Sequence, residues 1–81
     1  MAGYWQPNES IIYLIRVSVE GTTLRQRAAK LLLMCLRTRD NAAQIGGCLD
    51  DAENTTPGVS EAARILAGEV GIPVARRLPK S

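Results

Sequence analysis

Asp50, Asp51 and Glu53 place three carboxylates within four residues, and Asp40 lies ten positions upstream. Carboxylates at such density can hold a divalent cation or act as a general acid and base. The cluster lacks the alternating ligands and central glycine of a calcium loop. No second reactive group is set opposite it in the sequence. A solvated acidic loop is the expectation. The chain has no histidine, which removes the commonest general base and the commonest metal ligand. Without histidine, Cys35 and Cys48 do not make a zinc site. Cys35 falls on an apolar helix face and reads as a small core residue. Cys48 follows Gly46 and Gly47, and a bridge to Cys35 is geometrically allowed. With no secretory signal in view, the expectation is that both thiols stay reduced. Gly21-Thr22-Thr23 could offer backbone amides to an anion at a helix start, although ordinary capping accounts for the same residues. The sequence therefore implies no catalytic, cofactor-binding or metal-ligating residues, and a protein that is not an enzyme.

Cations give a stronger signal than acids. Arg25, Arg27 and Lys30 stand near the start of one expected helix and Arg37 and Arg39 at its end. Arg76, Arg77 and Lys80 lie on the C-terminal tail. If they converged they could contact phosphates. The formal charge of +2 does not by itself imply nucleic acid, and solubility or salt bridges to the acidic loop explain the same residues.

The elements that would position these groups begin with Thr22–Leu36. Thr23 and Gln26 have the spacing of a capping box. Leu24, Ala28, Leu31, Leu32 and Cys35 then share one face of a 3.6-residue repeat. Ala29, Leu33 and Leu36 extend the apolar surface beyond that face, so the helix is expected to be covered on two sides, either by a small sheet and the second helix or with a partner on one side, to which the excess face around these three residues points. Residues Ile11–Val19 are rich in β-branched side chains and are expected to form a strand. Its odd positions would be buried and its even positions, with Leu14 and Arg16, partly exposed. Residues 42–49 are weakly patterned around Gly46-Gly47, and a short strand or a ragged helical turn are both open. A second helix is expected over Ser60–Val70, capped by Ser60 and closed by Gly71 and Pro73. Ile72 and Val74 could add an edge strand. The fold class is then α/β, or α+β: a small single domain over residues 11–75, an irregular arm over 1–10 and a basic, flexible tail over 76–81.

Two resemblances follow from this order. A strand with Leu14, Arg16 and Ser18 on its outer face, followed by two helices, resembles the ribbon-helix-helix repressors. That would imply a transcriptional regulator reading the DNA major groove. Tyr13–Leu33 (YLIRVSVEGTTLRQRAAKLLL), Asp50–Gly68 (DDAENTTPGVSEAARILAG) and Gly71–Pro79 (GIPVARRLP) are similar to stretches of thioredoxin-like domains of the KaiB type. Glu69–Ile72 is inserted relative to that pattern, and AQIGGCLDD is less apolar than its second strand. The resemblance implies a thioredoxin-like fold that docks on a partner protein without catalysis.

The sequence thus leads to a non-enzymatic interaction or regulatory module that self-associates or docks on a larger protein. Nucleic-acid binding is the alternative. The expected contacts are Tyr4, Trp5, Leu14, Arg16 and Leu33, with Arg76 and Arg77 as rim charges. No apolar run is long enough to span a membrane, and a cytoplasmic location is the expectation.

Overall fold

The described residues form four helices: α1 (Pro7–Glu20), α2 (Thr23–Thr38), α3 (Ala42–Ala52) and α4 (Val59–Glu69). The computed structural model describes residues 7–53 and 58–75. There is no strand among the described residues, so the α/β class, the strand over Ile11–Val19 and the thioredoxin-like fold are all corrected to an all-α architecture.

Residues 11–19 are helical because their environment overrides a modest local preference. A β-branched residue in a helix costs only a few tenths of a kcal/mol relative to the best helix formers. A lone strand, by contrast, needs partner strands, and none is present among the described residues. Pro7 is the first helical residue, where its missing N–H and fixed φ are tolerated. Glu9 adds an acid to the first turn. Ser10, Leu14 and Val17 then recur at helical spacing and are buried. The Ser10 hydroxyl donates to the carbonyl of Val70 at 3.4 Å, which ties α1 to the end of α4.

The central helix is where the sequence places it, with its cap shifted by one residue. Thr22, not Thr23, is the N-cap, and its hydroxyl accepts from the Arg25 amide at 3.4 Å. Gln26 donates instead to the carbonyl of Val19 at 2.8 Å and so braces the α1–α2 turn. α2 packs most extensively against α4 and α1 and less against α3. Ala28, Ala29, Leu32 and Cys35 are buried, and Leu33 and Leu36 pack partly against the core. Most of the surplus apolar face expected to await a partner is thus covered by this chain's own helices. Small residues at the contacts (Ala28 and Ala29 on α2, Ala63 and Ala67 on α4) are fully or almost fully buried and let helices approach closely.

Residues 42–52 form a complete helix, neither strand nor ragged turn. Asn41 caps it by accepting from the Gln44 amide at 2.9 Å, and the Gln44 side chain accepts from the Asp40 amide at 2.9 Å. Ile45, Gly46, Cys48 and Leu49 form its buried face. Gly46 has a packing role. A Cβ at this position would collide with the carbonyl of Ala75, which lies directly over it. The Ala75 amide donates to the carbonyl of Ala42 at 3.1 Å, fixing that crossing.

α4 starts one residue earlier than expected. Gly58 at φ +87° is its N-cap, and Ser60 lies buried inside the helix without a capping role. Its end follows the expectation from Gly71. With Gly71 at φ +73°, the Ile72 amide reaches the carbonyl of Ala67 at 2.9 Å and the Gly71 amide that of Gly68 at 3.3 Å. This is the Schellman arrangement, and it requires a left-handed residue that glycine supplies at no steric cost. Residues 72–75 form no edge strand. Ile72 and Val74 pack as half-buried side chains on the core.

Candidate functional site

Among the described residues, two open helix faces combine exposed apolar side chains with charges beside them. The first is on α1. Ile12, Ile15 and Val19 recur at i, i+3 and i+7 and are 56%, 49% and 69% exposed. They form a stripe on the side of α1 away from buried Leu14. Glu9, Arg16 and Glu20 are exposed along one edge of this stripe. Arg16 and Glu20 make no ion pair among the described residues.

The second open face is on α2. Lys30, Leu33, Met34, Arg37 and Thr38 line a shallow groove of about 330 Å³. The Thr38 hydroxyl donates to the carbonyl of Met34 at 3.0 Å and accepts from Arg39 at 2.7 Å.

Polar side chains elsewhere are used to hold the helices together. Arg25 makes a forked pair with Glu69, at 3.0 Å through Nη1 and 2.9 Å through Nη2. The Tyr13 hydroxyl donates to the same carboxylate at 2.9 Å and accepts from Arg25 at 3.3 Å. The hydrogen bonds from Arg25 hold the Glu69 carboxyl below its ordinary pKa, with a smaller contribution from Tyr13 and with desolvation opposing. The pair in turn raises the Arg25 guanidinium above its ordinary value. Arg64 is the most enclosed cation in an ion pair, with its side chain 7% exposed. It donates to the Asp50 carboxylate at 2.7 Å, to the carbonyl of Ala75 at 2.8 Å and to that of Gly46 at 3.4 Å. Asp50 is therefore engaged in an interhelical clamp. No group of three potential metal ligands is brought together among the described residues.

Cys35 of α2 and Cys48 of α3 are joined in a disulfide, with Cα atoms 6.0 Å apart. The expectation of two reduced thiols is corrected. The helical rise of α2 and the N-capped turn at Asn41 bring the two positions together, a geometry that a strand or coil over 42–49 does not suggest.

The residues expected to carry partner contacts are distributed as follows. Tyr4, Trp5, Arg76 and Arg77 lie outside the described residues. Leu14 is 0% exposed and belongs to the core, so it offers nothing to a partner. Arg16 is exposed beside the α1 stripe, and Leu33 lines the α2 groove. The two lie on different helices. A two-residue period splits Ile12, Ile15 and Val19 between opposite strand faces, so a strand pattern does not group them. Their 3-and-4 spacing is the signal that unites them. No helix among the described residues is long and apolar enough to cross a membrane. No family model, curated protein or solved structure matches this chain.

Proposed function

We propose that this protein is a non-enzymatic interaction module that self-associates through the outward face of α1. The observation that carries this reading is the stripe of Ile12, Ile15 and Val19, apolar and uncovered on an otherwise packed helix. Contiguous exposed apolar surface of this kind marks interaction sites. Its charged edge favours a second copy. In an antiparallel α1–α1 pair related by a two-fold axis, Arg16 of one copy lies beside Glu20 of the other, and the contact repeats by symmetry. A two-fold pairing of this type uses one patch on both subunits. The same register brings Val19 against Val19 and Ile15 close to Val19 of the other copy.

The ribbon-helix-helix alternative needed a strand bearing Leu14, Arg16 and Ser18. With helix α1 there, that reading has no support, and Arg25 is engaged by Glu69. The Cys35–Cys48 disulfide supports an oxidising compartment in place of the cytoplasm expected from the sequence.

Light scattering coupled to size exclusion, over a concentration series, tests the reading. The wild-type chain is expected to dimerise, and Ile15→Glu to be monomeric with unchanged helicity. Charge reversal at Arg16 (Arg16→Glu) should weaken the dimer, and adding Glu20→Arg should restore it. A chain that is monomeric at every concentration, or a dimer indifferent to both Ile15→Glu and the charge swap, overturns the proposal.

A further inference from the structure

The outward face of α2 carries a charge imbalance that folding leaves in place. Thr23–Thr38 contains four cations, Arg25, Arg27, Lys30 and Arg37, and no acid. Among the described residues, Arg25 is the one of these four that is neutralised, by Glu69 on α4. Arg27, Lys30 and Arg37 are exposed and take part in no ion pair among the described residues. Lys30 and Arg37 lie two helical turns apart, about 10 Å along the axis. They stand towards the two ends of the groove, with Leu33 and Met34 between them.

We propose that this groove docks an acidic amphipathic helix of a partner protein. One or two apolar side chains of that helix would settle over Leu33 and Met34, and its carboxylates would meet Lys30 and Arg37. Amphipathic helices commonly bind by laying apolar anchors into grooves of this kind. Methionine suits such a contact because its unbranched, polarisable side chain adapts to what it meets. The unpaired cations supply complementary charge, which gives specificity and speeds association.

Other anionic partners fit less well. The groove has an apolar floor and no aromatic side chain among its lining residues, so a nucleic acid would find no stacking platform. A lipid surface would need a broad apolar face to insert. Here Met34, at 49% exposure, is the lining residue that offers the largest exposed apolar side chain, and a concave site is not filled by a flat surface. This inference is independent of self-association through α1, because it uses a different helix.

The test is a titration of the isotopically labelled full chain followed by amide chemical shifts. The probe is a synthetic amphipathic helical peptide of about 16 residues with leucines along one face and glutamates beside them. Its counterpart carries lysine in place of glutamate. A single-stranded oligothymidylate and vesicles of phosphatidylcholine with phosphatidylglycerol complete the set. Saturable shifts around Lys30–Thr38, with a Kd on the order of 10–100 µM, are expected for the acidic peptide. The lysine peptide should bind at least tenfold more weakly. Lys30→Glu combined with Arg37→Glu should weaken the acidic peptide at least tenfold. The milder pair Lys30→Ala and Arg37→Ala, which favours helix, should weaken it in the same direction. No saturable shift by about 1 mM peptide overturns the proposal. Equal response to the lysine peptide, indifference to both double variants, or tighter binding of oligothymidylate or vesicles at these residues also overturns it.

Discussion

Arg64 and Asp50 are joined at 2.7 Å across the boundary between α4 and α3, and the arginine side chain is almost wholly enclosed. The same guanidinium satisfies the carbonyls of Ala75 and Gly46. One side chain therefore fixes α3, α4 and the segment after α4 relative to one another. Removing one member of a buried pair leaves the other group poorly compensated, which costs several kcal/mol. Arg64→Met is expected to destabilise the fold by about 3 kcal/mol, read from urea unfolding. Arg64→Lys keeps the charge and loses the planar fork, so it should recover less than half of that loss. Full recovery by lysine would show that charge alone, without the bonds to the two carbonyls, secures the clamp.

Gly46 and Gly47 are neighbours with opposite roles. At Gly46 a Cβ would meet the carbonyl of Ala75, a backbone atom that cannot swing aside. At Gly47 the space is open, and the residue is exposed within a helix. Gly46→Ala should destabilise by about 1–3 kcal/mol through overpacking. Gly47→Ala should stabilise by roughly 0.5–1 kcal/mol, the ordinary gain of alanine over glycine in a helix. Thermal unfolding of the two variants checks the contrast. Shifts of the same sign would mean that residues 72–75 do not sit over α3.

The disulfide closes a short loop between two helices, since Cys35 and Cys48 are 13 positions apart. In the chain-entropy account a loop of this length is worth about 3 kcal/mol. For a domain of this size that corresponds to a change in Tm on the order of 15 °C. Reduction, or Cys35→Ala combined with Cys48→Ala, should lower Tm by that order. Amide exchange should accelerate first in α3, which contains two glycines and has fewer contacts with α2 than α1 or α4 has. Unchanged Tm and uniform exchange after reduction would show that the apolar core alone holds α3 in place.

The sequence makes part of this fold legible and conceals the rest for identifiable reasons. α2 is readable because its apolar repeat is long and both ends carry polar signals. The end of α4 is readable because Gly71 and Pro73 permit few alternatives. α1 is hidden by composition: Ile11, Ile12, Ile15, Val17 and Val19 favour a strand locally, and burial of Ser10, Leu14 and Val17 in the folded chain favours the helix. α3 is hidden because Gly46 looks like a helix breaker. Its reason for being glycine lies 29 positions away, at Ala75. The candidate surfaces follow the same division. Arg16 is exposed on α1 and Leu33 lines the α2 groove, each named by the sequence singly and without its neighbours. The α1 stripe became visible only once the helical period replaced the strand period, and that change also moved Leu14 from the surface to the core.

Glu69 accepts hydrogen bonds from Arg25 on α2 and Tyr13 on α1, so one carboxylate couples three helices. Its folded-state pKa is lowered, chiefly by Arg25. A carboxyl with a depressed folded pKa stabilises the native state fully above its unfolded pKa. That contribution is lost as pH falls through the folded value. Arg25 does not titrate in this range, so the direction is set by Glu69. Both side chains are about one-third exposed, at 34% and 37%, so solvent screening limits the pair to at most about 1 kcal/mol. Tm measured between neutral pH and pH about 3 should therefore fall less for Glu69→Gln than for the wild type. The difference between the two should be largest at neutral pH, shrink through the acidic range and diminish with added salt. A constant difference across pH would mean that ionisation of Glu69 does not stabilise the fold, and that shape rather than charge holds Tyr13 and Arg25 around this position.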